Sequence, residues 1–155
     1  MFEKFAQTAR SAVGDARFEA GRRGDRRIGT DHLLLALLRD EDLARAVGVD
    51  ADSVAEAADE LDRGALRSIG LELSVYKPAA NVVLQKRAPF TAGAKAVLQQ
   101  TLAHASAEKA RTITSRHIML ALLDRQAPDP VFALFESLSI EPQEVSDRLT
   151  AETWR

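Results

Sequence analysis

Histidine is the residue of this sequence best suited to acid–base or metal chemistry, because an imidazole changes charge near neutral pH and binds metals through its ring nitrogens. The chain contains three histidines; His32 and His117 occupy matching positions in two copies of one pattern, and His104 stands alone. No HExxH motif or carboxylate at metal-ligand spacing accompanies either paired histidine. We therefore interpret His32 and His117 as structural residues at helix starts, and a hydrolase that uses one of them is kept as an alternative.

Several reaction classes are excluded by what the sequence lacks. It contains no cysteine, which excludes disulfides, thiolate zinc sites, iron–sulfur clusters and cysteine nucleophiles. None of its eight glycines precedes a lysine, so no phosphate-binding loop of a nucleotide hydrolase is present. There is also no GxSxG nucleophile elbow. We predict no catalytic residue, no metal site and no cofactor.

Charge and hydropathy limit the partners of the protein. The 155 residues carry a net charge of −2, which argues against a nucleic-acid binder that works through overall positive potential. The basic cluster Arg22–Arg27 lacks interleaved aromatic residues, so we interpret it as a solvated loop or a docking site for an acidic partner, with a DNA-linked regulator as an alternative. Without a secretion signal or a run of 18 apolar residues, we predict a cytoplasmic protein with no membrane partner.

An internal repeat organises the chain. The segment Phe5–Leu38 aligns without a gap with Phe90–Leu123, at an offset of 85 residues. Farther along, Val49–Val54 resembles Ile140–Val145 at an offset of 91, so the second copy carries six extra residues, expected near 126–130. Such self-similarity is the signature of a repeated structural unit. We predict one domain over residues 1–155, with repeat 1 at 2–62, a connector at 63–89 and repeat 2 at 90–151.

Hydrophobic spacing predicts that the elements of each copy are helices. Apolar residues recur every three or four positions along the first element, at Phe5, Ala9, Val13, Ala16 and Ala20. The run Leu33–Leu38, matched by Ile118–Leu123, is hydrophobic on nearly every face and predicts a buried helix.

Two shorter helices complete each copy. They are expected at Leu43–Val47 and Ser53–Leu61 in the first copy and at Val131–Leu138 and Gln143–Ala151 in the second. The sequence therefore predicts an all-α fold, in which two tandem four-helix repeats pack with pseudo-twofold symmetry.

Three segments resemble a known family. With Phe2-Glu3-Lys4-Phe5, Ile28–Leu38 and Pro89–Leu98, the chain resembles the Clp N-terminal domain family from Phe2 to about Thr150. This family is the duplicated four-helix module in front of the ATPase rings of ClpC- and ClpA-type unfoldases. The resemblance implies a non-catalytic module that binds peptides or proteins of the Clp proteolysis system, as a substrate-recognition adaptor or a decoy. Its expected partners are Clp ATPase or protease components or their substrates, and sequestration of macrocyclic peptide antibiotics is the alternative.

One ligand surface implied by the resemblance is a groove between the two repeats, near the starts of their long helices. Aromatic side chains beside a cation suit an apolar peptide, because ring burial supplies affinity while the cation binds carbonyl groups. Phe5 and Phe90 could equally be core residues, and Gln99 stands where many family members have Glu. The residues expected to line this inter-repeat groove are Phe2, Phe5, Arg10, Val13, Phe90, Lys95 and Leu98.

A second implied site lies at the paired helix starts. In some family members a carboxylate in each copy receives the guanidinium of phosphorylated arginine, while a threonine holds the phosphate. Asp31, beside Thr30, is a shortened version of the first carboxylate, whereas the second copy has Arg116, which cannot accept hydrogen bonds from a guanidinium. The resemblance thus implies at most one weakened phosphoarginine site, at Thr30 and Asp31. The alternative is that Asp31 only places a favourable charge in the first turn of a helix.

Overall fold

Eight α-helices form in the computed structural model, which describes residues 4–70, 88–151 and 154. Within these ranges no strand forms beyond isolated bridges. The predicted all-α fold of two four-helix repeats is confirmed. In the first copy the helices are α1 (Gln7–Arg22), α2 (Thr30–Leu37), α3 (Glu41–Val47) and α4 (Ala51–Ser68). In the second they are α5 (Ala92–Ala107), α6 (Ser115–Leu123), α7 (Pro130–Ser137) and α8 (Pro142–Thr150).

Helix α4 is longer than the sequence predicted, because it ends at Ser68 and not at Leu61. Gly64 is compatible with a break in the helix, but one glycine inside a helix costs only about 1 kcal/mol relative to alanine. Two ion pairs bridge the turns around it, from Glu60 to Arg63 at 3.4 Å and to Arg67 at 2.8 Å. The first six residues of the predicted connector are therefore helical, and residues 71–87 lie outside the described residues.

Short polar side chains begin several helices. Asp40 accepts hydrogen bonds from two first-turn N–H groups of α3, Asp50 accepts one from α4, and Thr91 accepts one from Ala94 of α5 at 3.1 Å. These bonds satisfy N–H groups that have no partner inside a helix. Thr91, of a residue type that is favoured at helix N-caps, thus caps α5.

The core is built around α2 and α6. Every residue of Leu33–Leu38 and of Ile118–Leu123 is buried, and α2 and α6 pack against each other. α1 lies on α2 and α6, while α5 lies on α6 and α2. The two helices predicted to be hydrophobic all round are therefore the centre of the molecule. None of the helices in the described ranges is long and apolar enough to cross a bilayer.

Two short extended segments cross between the copies. The Ala6 N–H donates to the Ile113 carbonyl at 2.8 Å, and the Ile113 N–H donates to the Lys4 carbonyl at 2.9 Å. In the symmetry-related pairing, the Ile28 N–H donates to the Pro89 carbonyl and the Thr91 N–H donates to the Ile28 carbonyl, each at 2.9 Å. The chain before each copy's first helix thus pairs with the loop before the other copy's buried helix. This exchange brings the start of α5 next to the start of α2.

Candidate functional site

His32 is buried and hydrogen-bonded at both ring nitrogens. Its Nδ1 accepts the Gly29 N–H at 2.8 Å, and its Nε2 lies 2.8 Å from an Asp25 oxygen. Because Nδ1 accepts a backbone hydrogen bond, the ring proton belongs on Nε2, which donates to Asp25. His32 therefore closes the first turn of α2.

His117 has the same role at the start of α6. Its Nδ1 accepts the Thr114 N–H at 3.0 Å, and its Nε2 faces a Glu108 oxygen at 3.0 Å. Hydrogen bonds from Arg116 and His117 outweigh the effect of burial and lower the pKa of Glu108 to about 2. Both histidines thus lie at helix starts with a hydrogen-bonding partner at each ring nitrogen, which agrees with their interpretation as structural residues.

One cluster among the described residues has the composition of a metal site. Ligand atoms of Asp25, Asp31 and His32 lie within 4.8 Å of one another. A metal on His32 Nε2 would require the proton to move to Nδ1, which instead accepts the Gly29 N–H. The backbone at the start of α2 thus opposes metal binding by this cluster.

A cavity near these residues lies where the starts of α2 and α5 meet. Its volume is about 910 Å³, and it is open to solvent. We call it the helix-start groove. The start of α2 (29–32), the start of α5 (91–93) and the loop between α6 and α7 (124–130) line it, with Asp25, Arg26 and Arg27 at its edge. Both copies therefore contribute to one groove that contains the predicted residues Thr30 and Asp31.

Asp129 is a buried carboxylate of this groove, with its side chain 3% exposed. Its Oδ1 accepts the Thr30 hydroxyl at 2.5 Å and the Val131 N–H at 2.9 Å, and its Oδ2 accepts Arg125 Nε at 2.9 Å. A buried charge needs such partners to offset its lost hydration. Thr30 is itself only 1% exposed. The resemblance implied that this threonine holds a ligand phosphate, but here its hydroxyl is already donated to Asp129.

The start of α5 approaches this carboxylate so closely that it needs a glycine. A Cβ on Gly93 would lie 2.7 Å from Asp129 Oδ2 and 3.5 Å from Thr30 Cγ2. On the opposite wall, a Cβ on Gly29 would lie 2.6 Å from Asp31 Oδ1. The two glycines allow the helix starts to pack closely around the groove.

Asp31 is accessible, with its side chain 22% exposed. Among the described residues, its closest cationic or potentially cationic partner is His32, whose Nδ1 lies 3.6 Å away and already accepts the Gly29 N–H. Asp31 thus keeps acceptor oxygens accessible to a ligand, and its role as a ligand contact stays a prediction.

Further carboxylates surround Asp31. Arg23 donates to Asp59 at 2.9 Å and to Asp62 at 3.0 Å. Burial lowers the pKa of Arg23, but the hydrogen bond from Arg23 to Asp59 and the nearby carboxylates, including Asp31, outweigh it and raise the pKa. Burial raises the pKa of Asp62, Arg23 opposes this, and Asp25, Asp31 and Asp59 add to it. Asp31 therefore lies among carboxylates and basic residues, since Arg23 is paired with Asp59 and Asp62 and both Arg26 and Arg27 line the same groove. Its own accessible oxygens favour a cationic ligand group.

The equivalent position in the second copy is closed. Arg116 pairs with Glu108 and donates to the Leu149 carbonyl at 3.1 Å. At the repeat offset, Arg23 and Asp31 correspond to Glu108 and Arg116, so the two copies carry this charge pair with opposite signs. Arg116 is satisfied internally, and the second copy presents no carboxylate there.

The residues predicted for the inter-repeat groove separate into core and surface. Phe5 and Leu98 are 4% and 3% exposed and belong to the hydrophobic core, so their assignment as ligand contacts is corrected. The backbone of Phe5 pairs with that of Ile113 in the second copy. Val13 and Phe90 are half-buried, Arg10 and Lys95 are exposed, and Phe2 lies outside the described residues. The Arg10 Nε donates to the Phe5 carbonyl at 3.1 Å.

The basic cluster is partly neutralised by its own helices. Arg22 pairs with Glu19 at 3.1 Å, and Arg23 pairs with the two carboxylates of α4. Arg26 and Arg27 are exposed at the edge of the helix-start groove. This arrangement agrees with a solvated loop more than with a continuous basic surface.

Sequence reasoning missed Asp129 and Arg125. The signal was present in the six-residue insertion, where Asp129 precedes Pro130, a pair typical of a helix N-cap followed by its first residue. That pattern predicts a cap but cannot show that the capping carboxylate reaches Thr30, 99 residues away along the chain.

Comparison with known proteins relates the sequence to one family. A family model described as "Clp repeat (R) N-terminal domain" matches residues 4–127. A probable ATP-dependent Clp protease ATP-binding subunit of Chlamydia pneumoniae is 29% identical over 157 residues, covering 98% of this chain and 17% of that protein. The chloroplastic chaperone protein ClpC1 of Oryza sativa subsp. japonica is 27% identical over 152 residues, covering 94% and 15%. The chain therefore spans less than a fifth of the length of these relatives.

A solved structure supports the same fold. The N-terminal domain of the caseinolytic protease associated chaperone ClpD from Arabidopsis thaliana superposes with a TM-score of 0.70, at 21% identity, covering 95% of both chains. At this identity the likeness establishes the fold and leaves the ligand to be argued from the residues of this chain.

Proposed function

Because the chain belongs to the Clp repeat N-terminal domain family, we propose that it is a non-catalytic peptide- or protein-binding module of the Clp ATP-dependent proteolysis system. It recognises unfolded substrates or adaptor proteins and acts as an adaptor or a decoy for an unfoldase. The observation that carries the proposal is the open helix-start groove, in which Asp31 presents acceptor oxygens to solvent.

The chemistry of the groove favours a cationic side chain of an extended peptide. A guanidinium can donate two parallel hydrogen bonds to one carboxylate, and the surrounding Asp25, Asp59 and Asp62 strengthen the attraction. The Thr30 hydroxyl is donated to Asp129, so Asp31 is the ligand contact of this site. We therefore expect an unmodified arginine of the substrate to bind there.

The inter-repeat groove is the alternative binding surface, and it suits apolar ligands. Phe90 and Val13 are half-buried, and Arg10 and Lys95 are exposed. Partly buried aromatic groups with nearby cations suit apolar peptides, macrocyclic ones included. Sequestration of a macrocyclic peptide would use this surface and not the helix-start groove.

One experiment tests both surfaces. Binding of a dye-labelled, unstructured, arginine-containing peptide is measured by fluorescence anisotropy with wild type, Asp31→Asn and Phe90→Ala. We expect Asp31→Asn to weaken binding about tenfold or more, because a hydrogen bond to a charged group contributes about 1.5–3 kcal/mol. We expect the same peptide with citrulline in place of arginine to lose the difference between wild type and Asp31→Asn.

Matched controls separate the surfaces from general effects. Asp52→Asn removes an exposed first-turn carboxylate from α4, and Phe18→Ala removes an exposed aromatic side chain from α1. Neither control is expected to change the Kd. A loss of affinity confined to Phe90→Ala would move the site to the inter-repeat surface, and unchanged binding in both test variants would refute both surfaces.

A further inference from the structure

Asp129 lies in the helix-start groove at a point where three hydrogen-bond donors converge. Its carboxylate accepts hydrogen bonds from the Thr30 hydroxyl at the start of α2, from the Val131 N–H at the start of α7 and from the Arg125 guanidinium. The start of α5 approaches it so closely that a Cβ on Gly93 would lie 2.7 Å from Asp129 Oδ2. An anion is stabilised at helix N-termini and beside a guanidinium. The protein thus holds an anion in the groove, and this anion is its own side chain.

We propose that Asp129 is a built-in occupant of an oxyanion site and keeps external anions out of the helix-start groove. The proposal rests on the proposed function only in placing ligands in this same groove. A tetrahedral oxyanion such as inorganic phosphate could accept from the same hydroxyl, N–H and guanidinium. It competes with a carboxylate that is attached to the chain and therefore always present at high effective concentration.

The other charged residues of the groove explain why Asp129 determines whether cationic or anionic ligands bind. Asp25, Asp31 and Asp124 also line it, opposed by Arg26 and Arg27 at its edge. While Asp129 is paired with Arg125, the accessible carboxylate of the groove is Asp31, which favours cationic groups. Without the charge of Asp129, Arg125 loses its anionic partner, and the groove gains affinity for an external anion.

The test measures binding of inorganic phosphate at constant ionic strength to wild type, Asp129→Asn and Asp129→Ser. Both substitutions remove the charge but keep residue types that cap helices well, so α7 retains an N-cap. Isothermal titration calorimetry gives the Kd, and amide chemical shifts of Thr30 and Gly93 report the location. We expect both variants to bind phosphate at least about tenfold more tightly than wild type, with shifts confined to the groove.

Asp50→Asn is the matched control, because Asp50 caps α4 with an exposed carboxylate. It changes the net charge by the same amount and should gain no phosphate affinity. The proposal is overturned if the folded Asp129 variants bind phosphate no better than wild type, or if Asp50→Asn gains as much. Phosphate binding without any arginine-peptide binding would refute the proposed function alone, and the reverse result would refute this inference alone.

Discussion

Glu108 shows how one carboxylate holds a helix start in place. It accepts hydrogen bonds from Arg116 and from His117, the residue that closes the first turn of α6. Its pKa falls from 4.5 to about 2, chiefly through the hydrogen bond from Arg116. The ionised form of Glu108 therefore stabilises the folded protein at pH values above about 4.5, and this stabilisation is lost as the pH falls towards 2.

Glu108→Gln should make the protein less stable at neutral pH and less sensitive to acid. The shift in pKa corresponds to at most about 3 kcal/mol, and partial exposure of the side chain makes about 1–2 kcal/mol the expected loss at pH 7. Urea denaturation at pH 7, 4.5, 3 and 2 measures both effects, and the two proteins should converge at pH 2. Glu144→Gln, which breaks an exposed pair with Arg148, serves as the control and should change little. An equal loss of stability at every pH would contradict the assignment.

The residues of the site were predictable to different degrees, depending on how local their interactions are. The histidine roles follow from their position three residues after each helix N-cap, which is a local pattern. The exposure of Asp31 at the start of α2 is local as well. The apolar spacing already allowed Phe5 to be a core residue, whereas the bond from Thr30 to Asp129 joins the two copies, which residue spacing within one helix cannot report.

At the scale of elements, the groove depends on glycine at the start of α5, where a side chain would collide with Asp129. Gly93→Ala should destabilise the protein by about 1–3 kcal/mol, because the carboxylate that must move is buried and bonded on both oxygens. Gly14 on α1 has open space around its Cβ position. Gly14→Ala should therefore stabilise the protein by up to about 1 kcal/mol, since alanine favours helix.

Thermal unfolding followed by circular dichroism distinguishes these opposite effects. For a chain of this size, 1 kcal/mol shifts the Tm by roughly 2–4 °C. A Tm for Gly93→Ala equal to or above that of wild type would show that the start of α5 can move away from Asp129 without cost.

The elements themselves were largely predictable, because hydrophobic spacing and caps are encoded locally. The run Leu33–Leu38 is buried as expected from its uniform hydrophobicity, and Thr91 caps α5 as expected from its residue type. The end of α4 was not predictable, because Gly64 is compatible with a break, and the ion pairs of Glu60 that bridge it are formed only if the helix continues.

At the scale of the whole molecule, neither copy completes its own structure. The strand-like segment around Phe5 bonds to Ile113 of the second copy, and Ile28 bonds to the segment around Phe90. The buried helices α2 and α6 cover each other, and α4 packs on α7. Isolating one copy would expose these apolar faces to water and leave the crossing N–H and carbonyl groups without partners.

The repeats should therefore fold together and not separately. We expect fragments 1–70 and 88–155, purified apart, to show little helix by circular dichroism, and an equimolar mixture to regain cooperative thermal unfolding. Introducing Ile113→Asp, at a position 4% exposed, into the second fragment should prevent this recovery, because a charge cannot replace a buried apolar side chain at the crossing. Native-like helicity and cooperative unfolding of 1–70 alone would instead show that one copy is a complete folding unit. In that case the helix-start groove, which needs residues of both copies, would be assembled by docking of two preformed units.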